Sequence, residues 1–158
     1  MGSRRINLAD ISRAESEINK LQKDLLLNDT KLPKIITFDG TDSTTKYLTS
    51  ADNNSMVILR GATATTLVLP DIEFGLHYEV YVGTAQVHAV QARTNVINGN
   101  YRHNSASTTT TRVAVSNKGK LTFHATNVSI GDRLYFWCDG TYWWVDGMVY
   151  NALTLATI

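Results

Sequence analysis

The chain has 158 residues, 15 Lys and Arg against 14 Asp and Glu, a net charge of +1 and 43% hydrophobic residues. That is enough chain for one domain with a buried core plus an arm. The even charge balance and a pI near 7.9 argue against nucleic acid or an anionic membrane as partner. No run approaches the ~18 apolar residues of a membrane helix, and no apolar stretch follows Arg4 and Arg5 to make a secretory signal.

The first predicted element is helical. Ile11, Ala14, Ile18, Leu21, Leu25 and Asn28 recur at alternating spacings of three and four, an a/d heptad stripe with charged residues between its members. Pro33 stops any continuation. Such a stripe either lies on its own domain or meets other copies of the chain. It is too short to form a coiled coil without help, because isolated short helices are marginal in water. Residues 1–32 are therefore read as an N-terminal arm, and 33–158 as a β-rich domain.

From Lys34 onward short apolar runs rich in β-branched and aromatic residues predict strands. They fall at Ile35–Phe38, Met56–Leu59, Thr66–Leu69, Tyr78–Val82, Val87–Val90, Arg112–Val115, Leu121–Phe123, Leu134–Trp137, Trp143–Met148 and Ala152–Ala156. Turn signals punctuate them at Asp39-Gly40, Asn53-Asn54, Asn98-Gly99, Lys118-Gly119, Asp139-Gly140 and Asp146-Gly147. Asn98-Gly99 and Asp139-Gly140 are the strongest hairpin signals. The polar stretch Asn104–Thr111 reads as an exposed loop or a polar edge strand. The pattern predicts a mainly β fold, a β-sandwich or barrel with jelly-roll-like character and a short helical arm.

The stretch Gly131–Gly147 is the most aromatic part of the chain. A two-residue turn at Asp139-Gly140 would pair Trp137 with Tyr142, Phe136 with Trp143, Tyr135 with Trp144 and Leu134 with Val145. Side chains alternate along a strand. One face then carries Leu134, Phe136, Trp143 and Val145, and the other Tyr135, Trp137, Tyr142 and Trp144. The first face, with its aliphatic members, is assigned to the subunit core. The second has polar tips that suit an interface. Stacking on a sugar is the other use of such a face.

Signals for chemistry are missing. His77, His88, His103 and His124 show no metal-ligand spacing, and Cys138, the only cysteine, has no partner base in any motif. Phosphate-binding glycine loops and Gly-x-Ser-x-Gly are absent. No catalytic residue, metal or cofactor is expected, and the chain is read as a non-enzyme.

Thr66-Leu67-Val68-Leu69-Pro70, Gly75-Leu76-His77-Tyr78-Glu79-Val80-Tyr81-Val82-Gly83 and Gly131–Val145 together resemble a pattern of small tailed-bacteriophage virion proteins. These are capsid decoration (cement) proteins, head spikes and related appendages. The resemblance covers about half the chain, roughly Thr65 to Met148. It implies a homotrimer on the outer capsid surface, made in the host cytoplasm and bound to the major capsid protein, with no nucleic-acid or membrane partner. Ile11, Ala14, Ile18, Leu21 and Leu25 would then hold subunits together or dock them on the capsid. Tyr135, Trp137, Tyr142 and Trp144 would form the β-domain interface. The competing readings are a fibre-tip domain that binds a receptor or host surface glycan, and a glycan-active enzyme on a β scaffold.

Overall fold

The computed structural model describes residues 15–20, 33–39, 44–104, 110–124 and 129–158. The chain divides into two units, Met1–Leu32 and Pro33–Ile158. Within the first, residues 15–20 form a helical segment whose residues are all exposed. Of the predicted stripe only Ile18 falls there, 53% exposed. Ile11, Ala14, Leu21 and Leu25 lie outside the described residues.

Among its described residues the second unit has twelve strands in two sheets, a mainly β sandwich. The strands are β1 (Lys34–Phe38), β2 (Thr45–Tyr47), β3 (Ser55–Leu59), β4 (Thr66–Val68), β5 (His77–Val82), β6 (Ala89–Gln91), β7 (Ile97–His103), β8 (Thr111–Lys118), β9 (Lys120–Thr122), β10 (Arg133–Cys138), β11 (Trp143–Val149) and β12 (Thr154–Ala156). The seven-stranded sheet runs β1-β3-β5-β10-β11-β7-β8, and the five-stranded sheet runs β12-β9-β6-β4-β2.

The first six strands alternate between the sheets, and like strands pair in parallel: β1 with β3 and β3 with β5, β2 with β4 and β4 with β6. The chain is thus wound as a three-turn coil. A parallel pair needs a long crossover, and here each crossover contributes a strand to the opposite sheet. The register makes the period visible. Lys34 pairs with Ser55 and Ser55 with Tyr78, while Thr45 pairs with Thr66 and Thr66 with Ala89. Antiparallel strands β10 and β9 then extend the two sheets from β5 and β6.

One core lies between the sheets. Val57, Leu59, Tyr78, Val80, Leu134, Phe136, Trp143, Val145, Ile97 and Tyr101 come from the larger sheet, and Leu67, Val90 and Leu121 from the smaller. Two polar tips are satisfied inside it. Tyr78 donates its hydroxyl to the Thr49 carbonyl at 2.9 Å, and the Tyr101 hydroxyl accepts the Leu153 N–H at 3.0 Å.

Four expectations are corrected. Asn98-Gly99 is not a hairpin turn but a bulge inside β7, where the register with β8 shifts. Gly99 has φ +128, and a Cβ there would sit 2.2 Å from the Val145 carbonyl oxygen, so glycine is what lets β7 approach β11. Asp146-Gly147 also lies inside a strand, β11, and a Cβ on Gly147 would meet the Arg133 carbonyl at 2.4 Å. β2 and β7 fall outside the predicted runs, because Thr45–Tyr47 is short and polar and Asn98-Gly99 interrupts the other. The hairpin register differs as well: Cys138 pairs with Trp143, Trp137 with Trp144, Phe136 with Val145 and Tyr135 with Asp146. The Asp139 N–H bonds the Tyr142 carbonyl at 3.2 Å, so Gly140 and Thr141 are the central pair and the turn is centred one residue later. Gly140, at φ +89, supplies the positive φ this position needs.

Candidate functional site

A turn centred one residue later moves the ladder by two residues, which leaves every side chain on its expected face. Leu134, Phe136, Trp143 and Val145 are buried. Tyr135, Trp137 and Tyr142 remain 36%, 44% and 38% exposed, and Trp144 is half-buried. The aromatic face is therefore part of the outer surface of the seven-stranded sheet.

The ladder arranges that surface in rows. One row runs Thr37, Ile58, Tyr81, Arg133, Met148, Arg102, Arg112. The next runs Ile35, Met56, Glu79, Tyr135, Asp146. A third carries His77, Trp137, Trp144 and Asn98. Across the strands the surface changes character. It is aliphatic over β1 and β3, where Ile35 is 64% exposed, aromatic over β10 and β11, and cationic over β7 and β8. Met148, 48% exposed, adds a flexible apolar contact beside Arg133.

Local bonds hold the aromatic rings in place. The Tyr81 hydroxyl donates to a Glu79 carboxylate oxygen. Glu79 also bonds the Tyr135 hydroxyl, and the carboxylate beside this phenol pushes its pKa up to about 12. The Arg133 guanidinium stands 5.7 Å from the centre of the Tyr135 ring. At the hairpin tip, Asp139 accepts the Thr141 and Tyr142 N–H groups, both at 2.8 Å, and the Trp144 indole N–H at 2.6 Å. Tyr142 meets Trp144 edge-on, with ring centres 6.4 Å apart.

These bonds hold the Asp139 carboxyl below the ordinary carboxylate value, the Trp144 indole contributing most. A depressed carboxylate adds stability above its unfolded value, and that stability is lost as pH falls through the folded value. Near and below pH 3.8, the ordinary aspartate value, the hairpin tip is expected to loosen. In an acid titration followed by tryptophan fluorescence, Asp139→Asn should remove the transition. An unchanged transition in that variant would place its origin elsewhere.

Two buried titratable groups hold local structure. His88 is buried; its Nδ1 accepts the Thr65 N–H at 3.2 Å, and its Nε2 lies 3.2 Å from the Thr84 hydroxyl, which itself donates to the Gly61 carbonyl. Burial lowers its pKa and favours the neutral ring. Asp132, from the Gly131-Asp132 pair of the sequence pattern, is buried. It accepts the Tyr150 N–H at 2.8 Å and the Ser129 N–H at 3.2 Å, tying the entry of β10 to the exit of β11. Burial raises its pKa against those bonds. Cys138 is buried and unpaired. Among the described residues no three His, Cys, Asp or Glu side chains gather in a group that could hold a metal ion.

Compared with known proteins, the chain matches no family model and no curated protein.

Proposed function

We propose that this chain is a non-enzymatic virion protein of a tailed bacteriophage, a homotrimeric capsid decoration or head-spike protein that binds and stabilises the outer capsid surface. The observation that carries the reading is the outer face of the seven-stranded sheet. Ile35, Tyr135, Trp137 and Met148 are exposed side by side with half-buried Met56, Ile58 and Trp144. Contiguous apolar patches of this kind mark protein–protein contacts, and Tyr, Trp, Met and Arg are the residue types enriched in them.

The change from an aliphatic to a cationic edge favours a heterologous contact, in which unlike parts of one face meet around a closed ring. A ring of three agrees with the resemblance of the Gly131–Val145 stretch to trimeric virion proteins. The arm supplies the second contact, with the Ile11, Ala14, Ile18, Leu21 and Leu25 stripe either bundling the subunits or docking on the major capsid protein. A role of this sort needs shape and interface area, with no reacting group.

The test has two parts. Sedimentation of the purified protein at micromolar concentration is expected to give a single trimeric species, and a monodisperse monomer or a stable dimer would overturn the trimer. Added to capsids lacking it, the protein is expected to bind saturably at symmetry-related positions visible by cryo-electron microscopy. Failure to bind, with binding to host cells instead, would replace decoration by the receptor-binding reading.

A further inference from the structure

The opposite surface of the sandwich carries a groove that the proposed assembly leaves unused. On the outer face of the five-stranded sheet, Tyr47, Val68, Gln91 and Lys120 stand in one cross-strand row over β2, β4, β6 and β9. Thr45 and Thr66 form the adjacent row. With Arg93 these residues line a groove of about 620 Å³. Tyr47 is 65% exposed, and it forms one end of the groove. Arg93 pairs with Asp71, at 3.2 Å, and a guanidinium has five N–H donors.

The geometry points to this groove as a binding site for an acidic polysaccharide. A sugar ring offers an apolar face of C–H groups and a rim of hydroxyls. Tyr47 supplies a flat, amphipathic surface for the first. The Gln91 amide and the Thr66 hydroxyl supply both donors and acceptors for the second. Lys120, at the far end on β9, and Arg93, two residues beyond Gln91 and paired with Asp71, add cationic groups for a sugar carboxylate. Neighbouring strands are ~4.8 Å apart, close to the length of one sugar residue in an extended chain. Tyr47 and Lys120, at the two ends of the row, are therefore spaced to meet different sugars of one chain, with Val68 buried between them. The aromatic face of the hairpin lacks this mix, since the Tyr135 hydroxyl there is already bonded to Glu79. The inference stands apart from the capsid reading and survives its failure.

Affinity electrophoresis of the full-length protein through gels containing polygalacturonate, neutral dextran or dextran sulfate tests it. Retardation by polygalacturonate and not by dextran is expected. Tyr47→Ala and Lys120→Gln should each weaken it by roughly tenfold, with Lys120→Gln also flattening its dependence on salt. Both positions are surface-exposed or half-buried, so both variants should fold, and circular dichroism checks that. Absence of retardation would overturn the site, as would parental behaviour of both variants. Equal retardation by dextran sulfate with Tyr47→Ala unaffected would reduce it to unspecific attraction of polyanions and overturn it too. Oligomeric state and capsid binding should be unchanged in both variants, which separates this outcome from that of the assembly.

Discussion

Trp143→Ala is expected to unfold the subunit or bring it close to unfolding. Trp143 is fully buried and is among the largest side chains so placed. Its backbone N–H bonds the Val96 carbonyl at 2.9 Å, and its ring stands 5.8 Å from that of Tyr78. It pairs with Cys138 on one side and Ile97 on the other, so its indole sits where β10, β11 and β7 meet the core. Truncating a buried Trp or Phe costs about 3–5 kcal/mol, a large share of the roughly 5–15 kcal/mol that holds a domain together. The thermal midpoint should fall on the order of 10 °C. Trp143→Phe should recover part of the loss by refilling some of the volume. A midpoint for Trp143→Ala equal to that of the parent would show that the inner face of the hairpin is not core.

That inner face was legible in the sequence, and the reason is the period of two. The alternation of Leu134, Phe136, Trp143 and Val145 against Tyr135, Trp137, Tyr142 and Trp144 fixes which side each residue occupies, and an error of two in register does not disturb it. The turn centre was less legible. Asp139-Gly140 and Gly140-Thr141 both place a glycine at a central position, and what separates them is the Asp139 side chain. Its bonds to Thr141, Tyr142 and Trp144 require Asp139 to stand at the base of the turn. The coil of parallel strands was not legible. Alternating apolar and polar residues usually mark antiparallel sheet, because parallel strands are normally covered on both faces. Here β1, β3 and β5 are parallel with one face outward, so their alternation carried no sign of strand direction. Gly99 and Gly147 misled for a related reason. Next to Asn and Asp they look like turns, whereas what they provide is room for a neighbouring strand's backbone. The groove over β2, β4, β6 and β9 left no signal at all, since Tyr47, Gln91 and Lys120 are brought into one row only by strand pairing.

Trp137→Asp is expected to dissociate the proposed trimer while leaving the subunit folded. Trp137 is 44% exposed in the subunit, on the outer face between His77 and Trp144. Its neighbours Phe136 and Cys138 face the other way, into the core, so a carboxylate at this position stays in water in the isolated subunit. In an assembly that covers the face, the same carboxylate is buried, where an unpaired charge is costly. Losing one partner of a well-packed aromatic contact adds about 2 kcal/mol or more to that at an interface centre. Sedimentation should therefore show monomers at concentrations where the parent is trimeric, with the near-ultraviolet circular dichroism of the core retained. Tyr47→Asp, on the outer face of the other sheet and more exposed still at 65%, should leave the trimer intact. That comparison separates a covered surface from a merely exposed one. If both variants stay trimeric, the arm alone holds the subunits together and the aromatic face has another occupant. If both dissociate, the contact is not confined to the seven-stranded sheet.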